Sequence, residues 1–480
     1  LRGKLLICLA VGWSEKSRVI CKWPGGLVSA NRLDKDSAVD LKQPLSQPLE
    51  IYDRHVFSKS KCYRAHAVNH LAYGVSSTPR ASQLPFPVVI DRAEGVHIAD
   101  VDGNTFLDYC LGYGPLLLGH TPKPVLEAVQ NELAKGLRTA SIHRGEARLA
   151  DLIAELVPSG AQSAFVSSGS EAIQLALRVA RAATGRNRIA KFRANYHGWF
   201  DNLHIANSIG NDGAATIGQD PEASHSVELF DWGSTQGLEE QLDSSFAAVI
   251  VEPAAINAGC FAPPEGFLQA LRDITRRLGI VLIFDEVITG FRLALGGAQQ
   301  RYGVTPDLSV LGKALGAGLP IGAVSGQREV MEVIASGRLL HRGTFNGNPV
   351  SLGVGIACLE TLKAEQATLY PRLDRIGGAI AAHVNAEAKA HDAPIFAQNV
   401  GGCVQLFAGV TQMDGMADLP KIDRSLILCL TSKLLQQGIY TLPRGLMYVS
   451  SVHSEDDLAF TRQAVSTAVM QFAQGLDANR

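Results

Sequence analysis

Five short apolar runs, at 164–166, 189–192, 247–251, 280–284 and 308–311, punctuate the middle of the chain, with helical patterns between them. None alternates apolar with polar residues. Alternation marks a strand with one wet face, so its absence predicts strands buried on both faces. Strands of that kind, each followed by a helix, close into a mostly parallel sheet with helices on either side, an α/β fold.

The segments flanking this core read differently. Val96, Ile98 and Val101, then Asp102-Gly103-Asn104, then Phe106 and Leu107 predict a hairpin whose Asp-Gly turn supplies positive φ. Val125, Leu126, Val129 and Leu133 share a helical face closed by Gly136, and Leu149, Leu152, Ile153 and Leu156 share another. From about Leu362 helices interleave with a few amphipathic strands, at 403–407 and 438–442, which predicts a second, smaller α+β domain. The expected division is an unassigned extension at 1–50, a segment at 51–120 joining the small domain, a large domain at 121–361 and the small domain proper at 362–480.

The extension has an apolar stretch after Arg2 and Lys4 that superficially resembles a signal peptide, but no small-residue cleavage pattern precedes Glu15 and Lys16. Its positive excess up to Arg32 is compatible with a transit peptide, and its opening Leu with an over-extended start or a fragment. It is left out of the fold argument.

Lys and Arg number 44 against 46 Asp and Glu, which gives no support for a nucleic-acid partner or a membrane-surface mode. No segment approaches the roughly 18 apolar residues of a membrane span. The eight cysteines are scattered, with no CxxC pair and no zinc-finger spacing, so a reducing, cytoplasmic setting without a structural metal is expected. A chain of 480 residues with this balance suits a metabolic enzyme.

In open α/β sheets ligands sit beyond the carboxyl ends of the strands, so the residues after each run are the candidates. After Phe165-Val166 come Ser167-Ser168-Gly169-Ser170 and a helical stretch, an anion site made of helix N–H groups, or equally an ordinary Ser cap. After Ile283-Phe284 come Asp285 and Glu286, carboxylates costly at the end of a buried strand unless a cation or a cap uses them. After Leu311 come Gly312-Lys313 and the Gly-rich 316–320 turn, a poor place for an unused ammonium. Together they are what pyridoxal 5′-phosphate (PLP) requires: a phosphate cradle, a carboxylate for the ring nitrogen and a lysine for the aldehyde.

Ser168-Gly169-Ser170-Glu171-Ala172, Tyr196-His197-Gly198, Val251-Glu252-Pro253, the 285–292 stretch Asp-Glu-Val-Ile-Thr-Gly-Phe-Arg, Pro306-Asp307-Leu308 to Gly312-Lys313, and Gly343-Thr344 to Gly347-Asn348-Pro349 resemble the class III aminotransferases in order and spacing over about 65–475. Within that family the resemblance is strongest to glutamate-1-semialdehyde 2,1-aminomutases and to aminotransferases like them. It implies the fold type I architecture and a homodimer with shared active sites. It also implies that Lys313 bonds the cofactor aldehyde and Asp285 meets the ring nitrogen, while Gly169 and Ser170 (with Ser168) hold the phosphate. Tyr196 and Val287 would pack on the two ring faces, and Thr344 would reach the neighbouring subunit's phosphate. Without the resemblance, Tyr196 reads as a core aromatic, His197 as unremarkable and Thr344 as a loop hydroxyl.

Substrate contacts rest on fewer residues. Gly74-Val75-Ser76-Ser77-Thr78-Pro79-Arg80 resembles the aminomutase segment whose arginine holds a carboxylate, which makes Arg80 a candidate. The chain departs from the aminomutases at Gly112-Tyr113-Gly114-Pro115, and at 442–448, where Pro443-Arg444-Gly445 looks more like aminotransferases acting on β-amino acids. Tyr113 and Arg444 join the candidates. The expected function is amino transfer between an amino acid and an oxo acid or aldehyde. The aminomutase reaction is the near alternative, a related decarboxylase or racemase a further one, and an inactive PLP-fold binding protein the alternative of another class.

Overall fold

The computed structural model describes residues 57–83, 87–137 and 140–477, so the extension at 1–50 lies outside the described residues. The first described helix, Ser58–Ala67, is anchored at its start by Asp102, whose carboxylate accepts the N–H groups of Lys59 (2.6 Å) and Ser60 (2.9 Å). Strands β1 (Ile90–Glu94), β2 (His97–Asp100) and β3 (Thr105–Asp108) form an antiparallel meander, with the expected hairpin between β2 and β3. Gly103 sits in its turn at φ +93°, and Asp100 Oδ1 accepts from Asp102 N and Asn104 N, so the carboxylate supplies partners for a turn that has few of its own.

The central sheet contains β4 (Gln162–Val166), β5 (Arg188–Phe192), β6 (Val227–Phe230), β7 (Phe246–Val251), β8 (Val281–Glu286), β9 (Leu308–Leu311) and β10 (Gly322–Gly326), in the spatial order β4-β10-β9-β8-β7-β5-β6. The five apolar runs are β4, β5, β7, β8 and β9. Two strands have no counterpart among those runs. Partly exposed β6 carries Glu228 at the sheet edge, and β10 is Gly-Ala-Val-Ser-Gly, too small-sided to read as apolar though all five residues are buried. β10 runs against both neighbours, and the other pairings it leaves are parallel. The carboxyl ends of β4, β8 and β9 therefore open on the same edge.

Beyond the sheet, β11 (Ile395–Val400), β12 (Cys403–Ala408) and β14 (Leu446–Tyr448) form a three-stranded antiparallel sheet, while β13 (Ile439–Tyr440) pairs in parallel with β3. The expected amphipathic strand at 403–407 is corrected: every residue of β12 is buried. Its alternation separates two dry faces. Val404, Leu406 and Ala408 enter the largest core cluster, and Phe407 enters another with Phe261 and Met413. The 42-residue helix Pro349–Ala390 runs straight through position 362 and lies against both β11 and the helix Lys123–Leu133. One apolar cluster accordingly unites Leu107, Leu149, Leu315, Ile376, Val404 and Phe472. Among the described residues no helix is long and apolar enough to cross a membrane. Cys110, Cys260, Cys358 and Cys403 are buried free thiols.

Candidate active site

At the exit of β4 the chain turns through Ser167 and Ser168 into the helix Gly169–Thr184. Ser168 caps it by accepting from Glu171 N at 3.3 Å, while Glu171 Oε2 reaches back to Ser167 N at 2.8 Å. The first N–H groups of a helix have no intrahelical acceptor, so Gly169 and Ser170 offer theirs outward, at the positive end of the helix dipole. Gly198, at φ +86°, lies so near this end that a Cβ would stand 2.6 Å from Ser170 Oγ. The space is kept open by the absence of a side chain.

Successive strand residues point to opposite faces, and β8 uses this to separate its two terminal carboxylates. Glu286 faces the protein: its oxygens accept from Ala298 N (2.6 Å), Gln299 N (3.3 Å) and Thr289 Oγ1 (2.9 Å), which makes it a buried cap for the helix Gly297–Tyr302. Burial raises its pKa. Asp285 faces the other way, with Oδ1 accepting from Val287 N (3.1 Å) and Oδ2 from His197 Nδ1 (2.8 Å). His197 is fully buried, which lowers its pKa against the pull of Asp285, and its Nε2 has no partner among the described residues. A neutral imidazole aimed at a carboxylate orients it without cancelling its charge.

Lys313 begins a tight turn, Lys313–Gly316, just beyond β9. Its φ is +41°, a region costly for a side chain with a Cβ and typical of residues held in place by their surroundings. The amine makes no hydrogen bond among the described residues. Desolvation, followed by the repulsion of Arg444, lowers its pKa to about 8 against the opposing pull of Glu252 and Asp285. It lines a cavity of about 340 Å³ with Gly112, Pro115, Ser167, Ser168 and Ile321. Half-buried Val287 stands between the two turns, its methyls 3.3 Å from a Cβ built on Gly169 and 3.5 Å from one on Gly312.

Tyr196 is 40% exposed, its ring edge-on to His204, and its N–H is held by Glu252 Oε1 at 2.7 Å. Glu252 also takes Asn257 N and Nδ2 at 3.3–3.4 Å, and Arg444 donates to Asn257 O (2.7 Å) and Oδ1 (3.1 Å). Burial, reinforced by Asp285, raises Glu252 to about 7. Arg80 and Arg444 are exposed, and both act electrostatically on the half-buried Tyr113 phenol, whose pKa burial nonetheless raises. Thr344 lies on an exposed turn outside the cavity, beside Phe345 at 67% exposure.

The fold thus assembles Ser168, Gly169, Ser170, Asp285, Val287 and Lys313 around one edge of the sheet, with Tyr196 held on the adjoining turn and Thr344 apart from them. Three residues passed over in the sequence belong here as well. His197 looked unremarkable beside Tyr196, and Glu252 was quoted only as part of a motif; a buried polar residue flanked by glycine and proline is the signal that was available. Arg292, fully buried, donates to Gly114 O and Val449 O and lies under the Tyr448 ring (5.0 Å), which locks the 112–115 turn to the C-terminal strands.

A lysine with no hydrogen bond among the described residues, a carboxylate braced by a buried histidine and an open helix N-terminus suit PLP: the Lys313 amine is free to bond an aldehyde, and the Gly198 gap leaves room beside the helix N-terminus. Fold and site together define a PLP-dependent transferase. Residues 78–454 match the model of the family "Aminotransferase class-III", and the chain belongs to that family. It is similar to the glutamate-1-semialdehyde 2,1-aminomutase of Ignicoccus hospitalis, with 38% identity over 412 residues, 84% of this chain and 97% of that one. Among solved structures it is similar to an omega-transaminase from Sphaerobacter thermophilus (33% identity, TM-score 0.79, covering 86% of this chain and 98% of that one). It is also similar to a β-phenylalanine aminotransferase from Variovorax paradoxus (29% identity, TM-score 0.77, covering 88% and 94%). The chain is a PLP-dependent enzyme of fold type I, handling small-molecule amino and oxo substrates.

Proposed function

We propose that this enzyme is a cytoplasmic homodimer that exchanges an amino group between a carboxylate-bearing amino acid, with β-amino acids such as the one named for its Variovorax relative among the candidates, and a separate oxo acid or aldehyde. The observation that carries the reading is the convergence of Ser168, Asp285 and the unbonded Lys313 on one sheet edge. PLP, when bound, supplies an aldehyde for amines and a ring that draws electrons from the adjoining carbon.

The chain's own residues do the rest. Gly169 and Ser170 N–H groups, with Ser168, bind the phosphate. Asp285, aimed by His197, offers its carboxylate to the ring nitrogen, and Val287 and Tyr196 hold the ring from either face. Lys313 Nζ, brought to about 8 by burial, has a free-base fraction near neutrality and can take a proton from the substrate carbon and return it. Arg80 and Arg444, both close enough to act electrostatically on the Tyr113 phenol, meet substrate carboxylates. Exposed Leu340 and Phe345 flank the turn of Thr344, and we place that turn in the subunit interface, with Thr344 serving the partner's phosphate. Segment 51–120 then works with the C-terminal region as the small domain, as its β3–β13 pairing suits.

A panel of amino donors and acceptors, run with Lys313→Ala as control, tests the reading. Turnover of external pairs and loss of both the visible absorption band and the borohydride-reducible adduct in Lys313→Ala are expected. A second reading is favoured by the printed names of the 38%-identical relatives: an aminomutase completing both transfers on one molecule. Efficient conversion of glutamate 1-semialdehyde with no turnover of external pairs would decide for it.

A further inference from the structure

Lys191 lies within β5, among apolar neighbours, with no solvent exposure. Burying an amine is costly, and an apolar residue of similar length would fill the space at lower cost, so its polar end needs a use. That end donates to Asn195 O at 2.9 Å and Phe192 O at 3.3 Å. Asn195, also fully buried, accepts Glu252 N on its Oδ1 (2.9 Å), and Glu252 in turn holds Tyr196 N (2.7 Å). The turn between them is built with Ala194 at φ +61° and Gly198 at φ +86°. An Ala in the left-handed region is held there by its surroundings, and two Lys191 hydrogen bonds close the turn from beneath. His197, the next residue after Tyr196, is carried by the same turn to Asp285.

We propose that Lys191 is a positioning residue: through the Phe192 and Asn195 carbonyls it sets the turn that presents Tyr196 to the cofactor ring and His197 to Asp285. This rests on the roles given above to Tyr196 and Asp285. It predicts that the lysine matters to cofactor binding only through that turn.

The test is a cycle on apoenzyme titrated with PLP, read as the dissociation constant and the visible circular dichroism of the bound cofactor. Lys191→Met is expected to raise the constant about tenfold and reduce the dichroism, because two hydrogen bonds to the turn are lost. Tyr196→Ala should raise it too, and in a Tyr196→Ala/His197→Ala background, which removes both side chains the turn presents, Lys191→Met should add less than about twofold. Equal effects in both backgrounds, or none in either, would overturn the proposal. If Tyr196→Ala alone is silent, the ring-stacking assignment fails; if Lys191→Met alone is silent, only this inference does. Should Lys191→Met not fold, Lys191→Gln, which keeps a donor nitrogen on a shorter stem, is read in the same cycle. Failure of both to fold would make the lysine a determinant of the fold and overturn its positioning role.

Discussion

Two adjacent carboxylates with opposite tasks show how much a single residue's direction decides. Glu286 satisfies three donors inside the protein, whereas Asp285 keeps capacity for a ligand with His197 behind it. Asp285→Asn is expected to bind PLP but lose at least about 100-fold in turnover, because the amide cannot stabilise a charged ring nitrogen. A steady-state rate near wild type would reduce Asp285 to a structural residue. Glu252 makes a separate prediction. Its pKa is raised from 4.5 to about 7, so the unfolded state loses its proton first as pH rises. The contribution is therefore fully present below about pH 4.5 and is lost as pH rises through 7, by up to about 3 kcal/mol. Denaturant unfolding across that window should show a downward slope that is shallower in Glu252→Gln.

Among elements, the helix Pro349–Ala390 joins the regions on either side of position 362, and two neighbouring glycines on it face different surroundings. A Cβ on Gly377 would collide with the carbonyl of Gly401, where β11 turns into β12, while one on Gly378 meets only Asn399 Oδ1 at 4.0 Å. Gly377→Ala should therefore cost about 1–3 kcal/mol through forced backbone shifts. Gly378→Ala should gain up to about 1 kcal/mol of helix propensity. Thermal unfolding of the two variants should move in opposite directions; a Gly377→Ala midpoint at or above wild type would show that the helix yields at this contact. Elements with strong local patterns, such as the five apolar strands and the Asp-Gly hairpin, were legible in the sequence. β10 was not, because Gly-Ala-Val-Ser-Gly is buried by its neighbours β4 and β9 rather than by its own side chains.

For the whole molecule, the placement of Thr344 outside its own chain's cavity joins assembly to chemistry. If that hydroxyl serves the partner's phosphate, dilution into monomers should lower PLP affinity and activity together, and Thr344→Ala should weaken PLP binding in the dimer by about tenfold, the loss of one charge-assisted hydrogen bond. Gel filtration paired with activity checks this. A fully active monomer would place the complete site within one chain.

Order along the chain determined which residues follow which buried strand, and that suffices for the serine turn, the Asp-Glu pair and the lysine, because a strand end and its next few residues are local facts. The fold class follows from the same runs, since strands without alternation suit a mostly parallel sheet covered on both faces, although β4 itself pairs antiparallel with β10. The resemblance singled out Asp285, but only the tertiary structure shows why it and not Glu286 is turned toward His197, a direction set by the register of β8 between β7 and β9. Tertiary structure alone made a brace of His197 and a hub of Glu252, because each acquires its partner across the fold, as His197 does from Asp285, 88 positions away, and it alone buried Lys191, whose own hydrogen bonds are local. Arg444 is the clearest case: its guanidinium is held by Asn257, 187 residues distant, and no periodicity of one chain segment carries that information. Burial and long-range pairing are properties of the packed molecule, and they turn ordinary polar residues into parts of a site.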